Sequence, residues 1–130
     1  MNTISHIIAV FIGSGLGGAC RYTVTKILEE QYPAAAFPIG TFIVNVTGCF
    51  LIGLLSGLFS KYGPSGIFTP QLRMLLTVGF CGGFTTFSTF INESFRLTQL
   101  THPAMTLLYI GGSIIAGLAL LYLGYRLTLN

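Results

Sequence analysis

The side chains of this sequence that could take part in chemistry are mainly neutral and polar. Thr41, Asn45 and Gly48 are spaced i, i+4 and i+7, so on a helix they place a hydroxyl, an amide and a gap on one face. Apolar residues surround them, and an amide in an apolar setting is costly unless it finds hydrogen-bond partners. The pattern favours two roles for Asn45 equally: an interhelical hydrogen bond, or a donor that lines a pore.

A second unusual stretch, residues 79–90, reads GFCGGFTTFSTF. Three glycines followed by two β-branched threonines make a poor helix. Beyond the glycines a polar stripe and an aromatic pair emerge, formed by Thr85, Ser88, Thr89 and Asn92, and by Phe87 and Phe90. Hydroxyl donors beside electropositive ring edges indicate a small anion. Phenylalanines at helical spacing are more often core residues, and spacing alone favours that interpretation.

Titratable groups are scarce, and the acidic ones are Glu29, Glu30 and Glu93. Nothing in the sequence resembles a catalytic triad, a carboxylate pair or a metal-ligand cluster. A net charge of +3 without a basic patch gives no support to nucleic-acid binding. The sequence therefore predicts neither an enzyme nor a nucleic-acid-binding protein.

The composition indicates which solvent surrounds these residues. Of the 130 residues, 52% are hydrophobic and only 7% are charged. A soluble domain carries about a quarter charged residues, because its surface must stay hydrated. The chain is therefore predicted to be an all-α membrane protein.

Four segments reach the roughly 20 apolar residues that a membrane-spanning helix needs. They run over about residues 4–28, 39–59, 72–95 and 104–125, within a single membrane domain, 1–130. Polar or Pro/Gly-rich joints at 29–33, 61–66 and 98–103 separate them. The third span contains the glycine–threonine run, so we expect its helix to be broken at mid-membrane, where free carbonyl oxygens would suit a small cation. The alternative is a continuous helix whose glycines allow close packing.

The positive charges are balanced between the two sides of this four-span arrangement. One side collects Lys61, Arg73 and Arg126, and the other collects Arg21, Lys26 and Arg96. Orientation normally follows an excess of Lys and Arg in the cytoplasmic loops. Three positive charges on each side predict dual topology, in which oppositely oriented copies pair as an antiparallel homodimer. The alternative is a weak bias towards insertion in one orientation.

Small residues repeat at the spacing used by helix–helix contacts in membranes. Gly13 and Gly17, and again Gly53 and Gly57, form GxxxG pairs, with Ser113 and Gly117 a looser one. Such faces support oligomerisation. They serve equally well to pack the spans of one chain against each other.

Several of these segments together resemble the Fluc (CrcB) fluoride channel family. The resemblance rests on residues 40–50 (GTFIVNVTGCF), on residues 82–90 (GGFTTFSTF), on Arg21-Tyr22 and on the four-span layout, and it covers essentially the whole chain. It implies a passive, fluoride-selective channel that exports fluoride across a bacterial plasma or inner membrane. It further implies an antiparallel homodimer with two pores and a central structural sodium ion.

By matching motif, the resemblance also assigns site residues. The fluoride pathway would be lined by Asn45, Phe87, Phe90, Ser88, Thr89, Thr41, Tyr109 and Ser113. Arg21 would lie in a vestibule, and the backbone carbonyls of Gly82 and Thr85 would bind the sodium ion, two from each subunit. Gly117 departs from the pattern, because relatives sometimes carry a small hydroxyl there. Glu93 matches a polar position beyond the two rings.

Two other classes of membrane protein share part of this pattern. A small dual-topology multidrug exporter has the same size, span number and charge balance, but its proton-coupling Glu in the first span is absent here. A non-transporting assembly factor would use the polar stripe merely to hold helices together. Flux that persists without a proton gradient would separate the channel from the exporter.

Overall fold

The computed structural model describes residues 3–33, 36–63 and 67–129, and regular secondary structure in these ranges is helical. Four helical stretches are long and apolar enough to cross a membrane: Thr3–Gln31, Ile39–Tyr62, Pro70–Leu100 and Pro103–Leu129. This confirms the all-helical, four-span prediction, and the chain is a multi-pass membrane protein. Residues 64–66 of the predicted second joint lie outside the described residues.

The third span is irregular where the sequence is rich in glycine and threonine. It consists of Pro70–Met74, a π-helical segment Leu75–Cys81, a short turn Gly82–Phe84 and the helix Ser88–Leu100. Thr85, directly after the short turn, has an extended backbone with φ −85° and ψ 161°. The span therefore has two helical halves, residues 70–84 and Ser88–Leu100, joined by a non-helical segment at residues 85–87.

The glycine pairs pack spans of the same chain against each other. A Cβ added at Gly13 or Gly17 would meet backbone atoms of the first half of the third span. One added at Gly53 or Gly57 would meet backbone atoms of the fourth span. Of the two roles open to these glycines, close packing within the chain is the one that the structure contains.

This packing predicts opposite outcomes for two neighbouring glycines of the first span. A Cβ at Gly17 would touch the carbonyl oxygen of Phe80 and lie 2.9 Å from the backbone nitrogen of Phe84, whereas nothing lies within 4 Å of one at Gly15. We expect Gly17→Ala to lower the free energy of unfolding in detergent by about 1–3 kcal/mol through overpacking. Gly15→Ala is the matched control and should be neutral or slightly stabilising, because alanine favours the helix. Equal melting temperatures for the two variants would contradict the packing.

Candidate functional site

The centre of the site is a contact between the second span and the non-helical segment of the third. Asn45 accepts a hydrogen bond at Oδ1 from the backbone N–H of Thr86, at 2.8 Å. Its Nδ2 donates to the carbonyl of the same residue, at 3.0 Å. One turn further along the second span, Gly48 has no side chain, and the Thr85 methyl group occupies the space that a Cβ would need. Asn45 therefore makes the interhelical hydrogen bond, and one N–H of its amide is left for a further acceptor.

This contact changes the hydrogen bonding of the third span. In a regular α-helix the Thr86 N–H would donate to the Gly82 carbonyl, but here it donates to Asn45. The Thr89 N–H would likewise donate to the Thr85 carbonyl, but it donates to Thr86 Oγ1 at 3.3 Å. Two carbonyl groups are thus released from their usual helical donors. Gly82 is exposed on the surface of the chain.

A groove of about 350 Å³ opens from this contact, bounded by the second, third and fourth spans. Its lining includes the polar residues Asn45, Thr85, Thr86 and Ser113, the rings of Phe87 and Phe90, and apolar side chains of the second and fourth spans. The two ring centroids lie 6.4 Å apart at a tilt of 49°. The groove therefore combines a few hydrogen-bond donors with two phenyl rings and apolar walls.

Two hydroxyl groups of the fourth span are buried without a hydrogen-bond partner in the described parts of the chain. These are the Tyr109 hydroxyl and Ser113 Oγ, which lie one turn apart. Tyr109 is only 1% exposed, and its ring packs 5.1 Å from that of Phe90. Buried polar groups are almost always hydrogen-bonded, so two unpartnered donors beside the rings call for an acceptor that the chain does not supply.

A small chamber of about 100 Å³ adjoins the groove at Thr86. Arg21, Thr25 and Glu29 line it from one face of the first span, at i, i+4 and i+8, and Thr41, Thr86, Thr89 and Glu93 complete its polar lining. Thr41 is buried and donates a hydrogen bond to the Glu93 carboxylate. The Arg21 Nε donates to the Gly83 carbonyl at 3.1 Å. This inner chamber is therefore charged and polar, unlike the groove.

An outer cavity of about 320 Å³ adjoins the inner chamber and shares Glu29 and Glu93 with it. Its lining comes from the connection between the first and second spans, from the adjoining ends of those spans and from the end of the third span, and it includes Tyr32, Phe37 and Arg96. The cavities thus follow one another from this end of the molecule: outer cavity, inner chamber, Thr86 and groove. Thr86 lines both the inner chamber and the groove.

The structure brings together most, though not all, of the residues that the sequence singled out. Asn45, Phe87, Phe90 and Ser113 share the groove, while Arg21, Thr41 and Thr89 share the inner chamber. Tyr109 lies against Phe90. Ser88 is exposed instead on an outward-facing surface with Phe87, Ile91, Asn92 and Phe95. Ser88 is not among the residues that line the groove with Asn45.

Thr86 is the central residue that the sequence did not single out. It holds both ends of the Asn45 amide through its backbone, and its own hydroxyl accepts from the Thr89 N–H. The signal in the sequence was the pair Thr85-Thr86 after the glycines. Spacing alone could not tell which of the two threonines meets Asn45.

Comparison with known proteins identifies the family to which the chain is similar. The chain matches the family described as CrcB-like protein, Camphor Resistance (CrcB), over residues 8–125. A protein of Maridesulfovibrio salexigens named fluoride-specific ion channel FluC is 44% identical over 88% of each chain. Proteins of the same name from Azobacteroides pseudotrichonymphae and Methylobacillus flagellatus are 41% and 39% identical, over 94–97% of each chain.

Proposed function

Because the chain belongs to the CrcB family, we propose that it is a passive, fluoride-selective channel that exports fluoride from the cytoplasm. Its relatives are ion channels, so the chain is a channel and not an enzyme. The membrane concerned is the plasma or inner membrane of a bacterium. A negative interior drives an anion outward, so export needs no coupling ion.

The observation that carries the proposal is the groove, in which unpartnered hydrogen-bond donors lie beside two phenyl rings. The free N–H of Asn45 and the hydroxyl of Ser113 line it together with Phe87 and Phe90. A small anion that sheds part of its water shell there gains hydrogen bonds from the amide and the hydroxyl. The edges of phenyl rings are electropositive, so they stabilise the anion further without a full charge that would trap it.

The ion's route follows from the order of the cavities. Fluoride enters the outer cavity and the inner chamber, where Arg21, Thr41 and Thr89 line its way. It passes the Asn45–Thr86 contact and continues past the two rings, with Tyr109 and Ser113 as hydroxyl donors of the fourth span. Ser88, which faces outward, would join this route only at a surface formed with a second subunit.

The working unit is an antiparallel homodimer with dual topology and two pores. Phe87 is 75% exposed in the single chain although it lines the groove, and this supports a second subunit that closes the path around it. The balanced charges of the two sides support opposite insertion of the copies. Reporter fusions at the C-terminus should give signal from both sides of the membrane, and signal from one side alone would contradict the arrangement.

The proposal includes a structural sodium ion at the two-fold axis of the dimer, in the middle of the membrane. The Gly82 and Thr85 carbonyls are the two that lose their helical donors, and carbonyls of an unwound span coordinate sodium well. Two carbonyls from each subunit would hold the ion, which would fasten the dimer rather than be transported.

Sodium should accordingly stabilise the purified protein. At a concentration of about 100 times its dissociation constant, a bound ion adds about 2.7 kcal/mol to the free energy of unfolding. The melting temperature in detergent should therefore be higher in sodium than in N-methylglucamine at equal ionic strength. Identical melting temperatures in the two cations would contradict the site.

Fluoride efflux from liposomes tests the proposed function. The purified protein is reconstituted with potassium fluoride or potassium chloride inside, and valinomycin is added without a pH gradient. We expect fast fluoride efflux with no chloride leak, in contrast to protein-free liposomes. No fluoride efflux from liposomes that contain folded protein would overturn the proposal.

A further inference from the structure

The outer cavity and the inner chamber together form a charged vestibule, defined here by Arg21, Glu29, Glu93 and Arg96. The first three line the inner chamber, and both glutamates and Arg96 line the outer cavity. Two arginines and two glutamates give a formal charge of zero. An anion that approaches from this end therefore meets two negative charges whose repulsion is offset by two positive ones.

Arg96 differs from Arg21 and Arg73, which are partly buried and donate hydrogen bonds to backbone carbonyls. Arg73 is bonded to the carbonyls of Gly63 and Phe68, and its guanidinium lies 4.6 Å from the centre of the Phe59 ring. Arg21 donates to the Gly83 carbonyl. Arg96 is exposed and, in the described parts of the chain, makes no hydrogen bond, close ion pair or ring contact. Arg96 lines the outer cavity together with Glu29 and Glu93.

We propose that Arg96 sets the local concentration of fluoride at this mouth of the pathway, by offsetting the charge of Glu29. Glu29 lies on the first span and Arg96 on the third, and both line the outer cavity. Arg96 acts on the ion at a distance, through its positive charge. It does not contact the ion as the ion crosses the narrow part of the path. This proposal rests on the proposed function, because it concerns the ion that the channel conducts.

The size of the effect follows from Coulomb's law. A unit charge about 10 Å away in water changes the local concentration of a monovalent anion about twofold. The Debye length is about 30 Å at 0.01 M salt and about 3 Å at 1 M, so salt should remove the effect. A hydrogen bond to the ion, or a contribution to folding, would show no such dependence on ionic strength.

The test compares single and double variants at low and high ionic strength, with an impermeant anion as the added salt. At about 0.01 M, fluoride flux should fall about twofold in Arg96→Gln and rise about twofold in Glu29→Gln, whereas the double variant should match the unmodified protein. Arg96→Lys should keep the full flux because it keeps the charge. Lys61→Gln, at the other end of the second span, is the control for net charge and should leave the flux unchanged. At about 1 M all variants should be equal.

The outcomes separate this proposal from the proposed function. Unmodified protein without fluoride flux overturns the proposed function itself. Unmodified protein with normal flux, beside an Arg96→Gln variant that is equally active at low salt, overturns only the role of Arg96. A loss of flux in Arg96→Gln that persists at 1 M salt, or that Glu29→Gln does not offset, also overturns only the role of Arg96. Either result means that Arg96 contacts the ion or has a structural role, instead of acting through its electric field.

Discussion

Asn45→Leu is expected to abolish fluoride flux and to destabilise the protein at the same time. The leucine removes both hydrogen bonds to Thr86, so that a backbone N–H and a carbonyl inside the membrane lose their partners. Each unsatisfied group costs about 1–3 kcal/mol, so the free energy of unfolding should fall by about 2–6 kcal/mol. The donor that faces the groove is lost as well. Flux from liposomes and unfolding in detergent measure the two effects.

Two further variants show which function of the amide matters. Asn45→Asp keeps an acceptor for the Thr86 N–H but loses the donor and adds a negative charge, so its flux should be as low as that of the leucine variant while part of its stability returns. Thr47→Leu is the matched control, because Thr47 is an exposed residue of the same helix. Normal flux in Asn45→Leu would remove this residue from the pathway.

Phe87→Ile is expected to stop fluoride flux while the fold of the single chain is retained. The ring is 75% exposed within the chain, so its loss leaves no cavity in the core. It lines the groove beside Phe90, where isoleucine offers no electropositive edge to an anion. A loss of about 1.4 kcal/mol of anion stabilisation lowers the flux tenfold, and we expect at least that much.

Other phenylalanines of the third span provide the comparison. Phe95, 62% exposed and outside the groove, is the control, and Phe95→Ile should conduct normally. Phe90 is 9% exposed and packs on Tyr109, so Phe90→Ile should lower both flux and stability. Because Phe87 also lies on the surface expected to face a second subunit, the oligomeric state of each variant is measured beside its flux. A dimeric Phe87→Ile protein with full flux would contradict the role of the ring.

Several features could be predicted from the sequence because they depend on neighbouring residues. Hydropathy accumulates over about 20 residues, so the spans were predictable without any knowledge of their contacts. The weakness of the third helix followed from three glycines and two threonines in one short run. That the interruption lies in the middle of the membrane stays a prediction, as does the antiparallel pairing of two copies.

The contacts of the polar residues depended on positions far apart along the chain. Asn45 and Thr86 are 41 residues apart, and Thr41 and Glu93 are 52 apart. Spacing placed Asn45 and Thr41 on one helical face, but it did not say which element that face would meet. The same holds for Ser88, which shares the polar stripe in the sequence yet faces outward, because the helix that carries it starts anew after an extended residue.

The amino-acid sequence by itself determined that this protein lies in a membrane, that it crosses it four times and that its charges are balanced between the two sides. These properties depend only on the composition and on the order of neighbouring residues along the chain. Only the tertiary structure decided that Asn45 holds Thr86, that two carbonyls are thereby released, and that Arg96 shares a cavity with Glu29. Hydrogen bonds and cavities require atoms to meet within a few ångströms, and helix packing alone sets which distant residues do so.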